Sequence, residues 1–252
     1  MATPVNTKEL DQMYRLESDR VQRYYVWDAV VRVSHWVNVV AVAIMIYTGF
    51  KIGGALGPSG TAGTFNMATY RNWHFVFGVV FTVNGLFRAY WFFAGHTYRQ
   101  WFRFNFWRAD YWREVWWKIK DYITLRYEDY ESYTLGHNAL ASLSYSAVFL
   151  CALFMALTGF SMWGQLIPGG FLNTLFGWVM PLFGGETHVR MLHRLGMWFI
   201  IAFMIHHITF VFYVEVYREK GMLSSMITGL KTRPLGWKPT EKPWVQAKKK
   251  SA

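Results

Sequence analysis

Among the eight histidines, His35, His74, His193 and His207 lie within or near the ends of long apolar runs. An imidazole in such a run is costly in a membrane and is by default a group with a function. His193 and His207 share one run and are 14 residues apart. On a helix with about 100° and 1.5 Å per residue, 14 positions return a side chain to within about 40° of its starting face, about 21 Å along the axis. Two ligands on one face at that separation suit two macrocycles stacked across a membrane. The adjacent His206 points about 140° away from His193, which makes it a helix-contact or interface residue.

The remaining metal chemistry narrows quickly. The single cysteine, Cys151, forms no internal disulfide and cannot by itself hold an iron–sulfur cluster or a thiolate zinc site. There is no C-x-x-C-H run, which excludes covalent c-type haem. A noncovalent b-type haem with two axial histidines fits instead. Both axial positions are then filled, which suits electron transfer and leaves no open substrate position.

The elements that position these residues are membrane helices. Only 16% of the 252 residues are charged, against 53% hydrophobic and 20% aromatic; a soluble domain carries about 25% charge. Runs of roughly 20 apolar residues suffice to cross a bilayer, and four are present, approximately 30–50, 73–93, 137–163 and 191–216. Turn chemistry separates them at Gly53-Gly54, Gly57-Pro58-Ser59-Gly60, Pro168-Gly169-Gly170 and Gly184-Gly185. No internal repeat is evident. The fold class expected is an all-α integral membrane protein: a four-transmembrane-helix bundle with an interfacial amphipathic helix in the central loop. That helix is read from Trp107, Tyr111, Trp112, Val115, Trp116, Ile119, Tyr122 and Ile123, which recur at helical spacing. Arg108, Arg113, Lys118 and Lys120 occupy the other positions.

The net charge of +11 does not point to nucleic acid, because Lys and Arg lie between the apolar runs and not on a soluble face. Five precede or open the first span, seven lie in the central loop 95–136, and nine follow Tyr217. The first hairpin loop holds only Lys51 and Arg71, and the loop 164–188 has none. The positive-inside rule then puts both termini and the central loop in the cytoplasm. The polar first 25 residues are not a cleavable signal peptide. The expected organisation is a cytoplasmic segment 1–28, a di-haem membrane domain 29–217 and a basic cytoplasmic tail 218–252.

Depth sorts the ligands. The second and fourth spans run inward, so His74 and His193 form an outer pair; the first runs outward, so His35 joins His207 as an inner pair. Arg32, Arg190 and Arg194 flank these histidines. They either meet haem propionates or snorkel to the interface. Gly49, Gly78, Gly85, Gly159 and Gly196 either admit bulky rings or serve ordinary helix packing.

From about Tyr25 to Tyr217 the sequence resembles the b-type cytochrome subunit of membrane-bound nickel–iron uptake hydrogenases. The segments that carry the resemblance are Val26-Trp27-Asp28, Arg32-Val33-Ser34-His35-Trp36, Tyr47-Thr48-Gly49-Phe50 and Trp73-His74. The stretch from Arg88 to Arg99, the opening Gly136-His137-Asn138-Ala139-Leu140-Ala141 and the interval His193–His207 complete it. The family commonly has proline where this chain has Ala139. The resemblance implies a bacterial inner-membrane, multi-pass subunit with two haem b held by His35, His74, His193 and His207. It also implies a small iron–sulfur subunit and a large nickel–iron subunit on the outer face, within a higher oligomer. A quinone, menaquinone or ubiquinone, is the electron acceptor, and the hydrogenase active site lies on another chain. His137 and Asn138 are either quinone contacts near the inner haem or a capping pair at a helix start. Tyr133, Glu128, Asp129 and Glu131 either feed protons to that region or form a solvated loop. The alternative partner is a formate dehydrogenase or another periplasmic molybdoenzyme. A proton-relaying transporter is disfavoured, because the first three spans hold no central carboxylate and Glu215 lies at the end of the fourth.

Overall fold

The computed structural model describes residues 21–56, 66–95, 106–124, 137–217 and 221–235. The turn at 57–60, Tyr133 with its three neighbouring carboxylates, Gly136 and residues 96–99 of the Arg88–Arg99 stretch lie outside them. So do residues 1–20 and 236–252.

The elements in chain order are β1 (Val21–Tyr25), α1 (Ala29–Ile52), α2 (Asn66–Ala94), α3 (Ala109–Ile123), α4 (Ala139–Gly164), α5 (Phe171–Phe176), α6 (Val179–Leu182), α7 (Glu186–Tyr217), α8 (Met222–Thr228) and β2 (Leu230–Pro234). Among the described residues, α1, α2, α4 and α7 are long and apolar enough to cross a membrane, so the chain is a multi-pass membrane protein. All four crossings are helical because hydrocarbon leaves backbone polar groups no partner outside the segment. Three of the four helices, α1, α2 and α7, exceed the apolar runs. At 32 residues, α7 is about 48 Å long, beyond a hydrocarbon core of about 30 Å. Glu186, Thr187, His188 and Arg190 at its start are polar and exposed, with Val189 buried between them, so hydropathy registers only the middle of the helix. Only 17% of the most apolar stretch of α1, and 6% of those of α2, α4 and α7, is buried within the chain. Lipid, cofactor or partner must cover the remainder.

The chain divides into two compact units. One comprises Val30–Phe102 and Ala141–Ile208 and contains most of the four spans. A polar knot joins α1 to α2 within it. The Asn84 amide nitrogen donates to the Asn38 side-chain oxygen at 2.7 Å and to the Ser34 carbonyl at 2.8 Å, while the Ser34 hydroxyl donates to Asn84 Oδ1 at 2.9 Å. Such bonds tie spans together where water offers no substitute. Gly196 lets α7 approach α4, since a Cβ there would stand 2.5 Å from Met155 Sδ.

The other unit comprises Met1–Ala29, Arg103–Leu140 and Thr209–Ala252. In it β1 and β2 form an antiparallel two-stranded ribbon, with Val21 opposite Pro234 and Tyr25 opposite Leu230. This small sheet adds to the all-α bundle and brings both ends of the described chain to one place. Val26 N–H and Trp27 N–H donate to the Gly229 carbonyl at 2.8 and 3.1 Å. Gly229 has φ +84°, and a Cβ there would lie 2.4 Å from the Trp27 oxygen; a side chain fits neither the conformation nor the space. The Glu215 carboxylate accepts from Gly221 N–H at 3.0 Å and Leu223 N–H at 2.7 Å, holding the turn into α8.

The interfacial helix α3 differs from expectation in one residue. Tyr111, Val115 and Lys118 are all buried, at the i, i+4, i+7 spacing of a single face. Lys118 therefore lies on the inner stripe, not on the polar side. Its Nζ is 3.7 Å from the Asp121 carboxylate and faces the Trp117 and Tyr122 rings at 4.9 and 5.6 Å. Opposite charge and ring faces replace the water that the ammonium has lost. Trp112, Trp116 and Ile123 are exposed, as a membrane-surface helix requires.

Candidate cofactor sites

Three of the four spans, α1, α2 and α7, present histidines in two facing pairs. The rings of His74 on α2 and His193 on α7 have centroids 6.4 Å apart and planes inclined at 64°. Those of His35 on α1 and His207 on α7 are also 6.4 Å apart, inclined at 54°. An imidazole nitrogen bonds a first-row metal at about 2.0–2.1 Å, and its ring centre lies about 1.1 Å behind it. Two axial imidazoles on one iron therefore have centroids about 6.3 Å apart. Both pairs show this spacing. Neither is a direct hydrogen-bonded contact, and each gap is the width that an iron centre between two imidazoles requires.

Hydrogen bonding also orients the first pair. Thr48 on α1 donates its hydroxyl proton to the Ile44 carbonyl at 2.7 Å, and its oxygen lies 2.9 Å from His74 Nδ1. Thr158 on α4 donates to the Phe154 carbonyl at 2.8 Å, and its oxygen lies 2.8 Å from His193 Nδ1. A hydroxyl has a single proton to give. With that proton on the carbonyl, each threonine oxygen accepts from Nδ1–H, which leaves the Nε2 lone pair of each histidine free for a metal. Ligating histidines are commonly held in this way by a second partner. Thr48 and Thr158 are buried. Both begin the tripeptide Thr-Gly-Phe, at 48–50 and 158–160, a recurrence too short to register as a repeat. The glycine that follows lies beside the histidine ring. A Cβ at Gly49 would meet His74 Cε1 at 3.6 Å, and one at Gly159 would meet His193 Cε1 at 3.4 Å.

The second pair is built differently. His207 stacks on Phe203, with centroids 5.5 Å apart and planes at 15°, and meets Tyr145 edge-on at 6.3 Å. Buried His35 Nδ1 has no hydrogen-bond partner among the described residues. The neighbouring His206 is exposed, whereas His207 is half-buried. No group of three or more metal-ligating side chains occurs among the described residues. Two imidazoles per centre therefore suit a metal whose other ligands come from a macrocycle.

The arginines are distributed unevenly. Arg194 is exposed and reaches over the end of α1, where its guanidinium would lie 3.3 Å from a Cβ at Gly53. Arg190 pairs with Glu186, Nε to Oε1 at 3.0 Å, and is exposed. Arg32 is half-buried on α1. The charge that sequence reasoning missed is Arg88, only 4% exposed on α2. It is 14 residues from His74, the same interval that separates His193 from His207 on α7. That interval was the available signal.

His137 and Asn138 are half-buried just before α4. The His137 ring packs on Trp27 with centroids 4.8 Å apart. The start of α4 is held from α3: Ala139 N–H donates to Glu114 at 3.0 Å, and Tyr111 donates to the Ala139 carbonyl at 3.2 Å. Burial first, then the Glu114 carboxylate, pushes the Tyr111 phenol above its usual range, which keeps it a donor.

The family described as prokaryotic cytochrome b561 matches residues 26–229. The probable Ni/Fe-hydrogenase 1 B-type cytochrome subunit of Escherichia coli (strain K12) is 33% identical over 229 residues, 87% of this chain and 95% of that protein. The probable Ni/Fe-hydrogenase B-type cytochrome subunit of Cupriavidus necator is 36% identical over 222 residues, 84% and 88% of the two chains. That of Rhodobacter capsulatus is 36% identical over 220 residues, 82% and 81%.

Proposed function

The chain belongs to the prokaryotic cytochrome b561 family, and from that premise we propose that it is the di-haem membrane anchor of a nickel–iron hydrogenase, passing electrons from the enzyme's iron–sulfur subunit to membrane quinone. The observation that carries this reading is the pair of facing histidine couples, each with centroids 6.4 Å apart. His74 and His193 would hold one haem b, and His35 and His207 the other. Bound in this way, each haem supplies a one-electron centre with no open coordination position. The protein's part is to fix both axial nitrogens, to exclude water, and to offer guanidinium to the propionates. Arg88, buried at the level of His207, Arg32 and Arg194 suit that last task.

The names of the relatives favour a hydrogenase partner over a formate dehydrogenase. The lysine and arginine distribution supports an inner-membrane protein with both termini in the cytoplasm. Pairing of β1 with β2 supports placing the two ends on one side. In that orientation His74 and His193 form the outer centre, beside the small iron–sulfur and large nickel–iron subunits of a higher oligomer. The quinone, menaquinone or ubiquinone, is reduced on the cytoplasmic side, where His137 and Asn138 are the groups able to hydrogen-bond a carbonyl and relay a proton.

A pyridine haemochrome assay with a reduced-minus-oxidised spectrum of the purified chain tests the central claim. Two haems b per chain are expected. One or none overturns it.

A further inference from the structure

The two histidine couples differ in one respect that bears on their redox chemistry. Both members of the His74–His193 couple donate Nδ1–H to a threonine oxygen, at 2.9 and 2.8 Å. In the other couple, His35 Nδ1 is buried with no hydrogen-bond partner among the described residues. We propose that Thr48 and Thr158 are positioning residues that hold the two imidazoles of the His74–His193 centre and set its reduction potential below that of the His35–His207 centre.

The cause is the direction of the hydrogen bonds. An imidazole whose Nδ1–H is given to an acceptor becomes a more basic ligand through Nε2. A more basic axial ligand stabilises ferric over ferrous iron, and axial ligation with its hydrogen bonding is among the protein's means of tuning a haem. Each threonine acts from a neighbouring span: α1 holds the histidine of α2, and α4 holds that of α7. Each hydroxyl donates to the carbonyl four residues back, which leaves its oxygen to accept from the imidazole. The result is a low-potential centre and a higher-potential centre on one chain, a gradient that directs electrons from the first to the second.

The inference rests on the haem reading, and its test separates the two. The purified complex carries Thr48→Val, Thr158→Val, both together, or the corresponding serine variants, and is titrated potentiometrically by absorbance and by low-spin ferric resonance. A His74→Ala variant identifies which step belongs to the His74–His193 centre. Fewer than two haems in the unaltered protein sinks the haem reading itself. With two haems present, each valine variant is expected to raise the lower-potential step by about tenfold in its equilibrium constant, about 59 mV for one electron. The double variant should move it roughly twice as far. The upper step should stay in place, the resonance of one centre alone should change, and serine should restore the original values. Loss of one haem from the valine variants, with retention in the serine variants, makes the same assignment by stoichiometry. The proposal is overturned if neither step moves, if the upper step moves instead, or if serine behaves like valine.

Discussion

Replacing His193 by alanine isolates the arithmetic of the site. The variant breaks the couple with His74 and leaves the couple of His35 and His207 whole. On α7 the two positions are 14 residues apart, which is about 21 Å along the axis. A truncated side chain at one level should therefore not disturb packing at the other. Haem content should fall from two per chain to one, and the α-band amplitude by about half. His207→Ala should give the same stoichiometry through the other centre, with the surviving centre distinguishable by its potential. His206→Ala serves as the control: that side chain is exposed, and both haems should remain. The assay is haem stoichiometry against protein in detergent-purified complexes, with resonance spectra to report spin state. Two low-spin haems retained in His193→Ala would refute the pairing, as would a complete loss of haem from every variant of α7, His206→Ala included.

The polar knot between α1 and α2 should matter to stability more than to cofactor chemistry. Asn84→Leu removes three hydrogen bonds, each worth about 0.6 kcal/mol in a bilayer; a loss of about 2 kcal/mol is expected in reversible unfolding from mixed micelles, and unchanged stability would contradict the account of that junction. Lys118→Met takes the ammonium from beside the buried Asp121 carboxylate, at a cost of about 3 kcal/mol. The double variant with Asp121→Leu should recover most of that loss, and thermal unfolding of the four proteins of the cycle measures the coupling. His137→Ala should slow reduction of an added quinone analogue several-fold while dithionite still reduces both haems; an unchanged quinone rate would place the quinone elsewhere.

The spans were legible in the sequence because a bilayer imposes a length requirement that any chain must meet locally. The interval of 14 residues on α7 was legible for a related reason: helical rise and turn are properties of the local backbone, and they hold whatever packs alongside. Helix ends were less legible, since hydropathy stops where hydrocarbon stops but backbone hydrogen bonding continues, as at Asn66 on α2 and Glu186 on α7. Only the tertiary structure decided which threonines matter. Thr48 meets a histidine 26 residues away and Thr158 one 35 residues away, and a threonine that bonds its own helix carries no mark of a second partner. Lys118 reads as a surface charge by type, and its burial depends on Asp121 and two rings that fold around it. The ribbon of Val21–Tyr25 with Leu230–Pro234 joins segments more than 200 positions apart. Strand pairing across such a distance depends on where four membrane crossings deliver the two ends, and neither five-residue segment carries that information by itself.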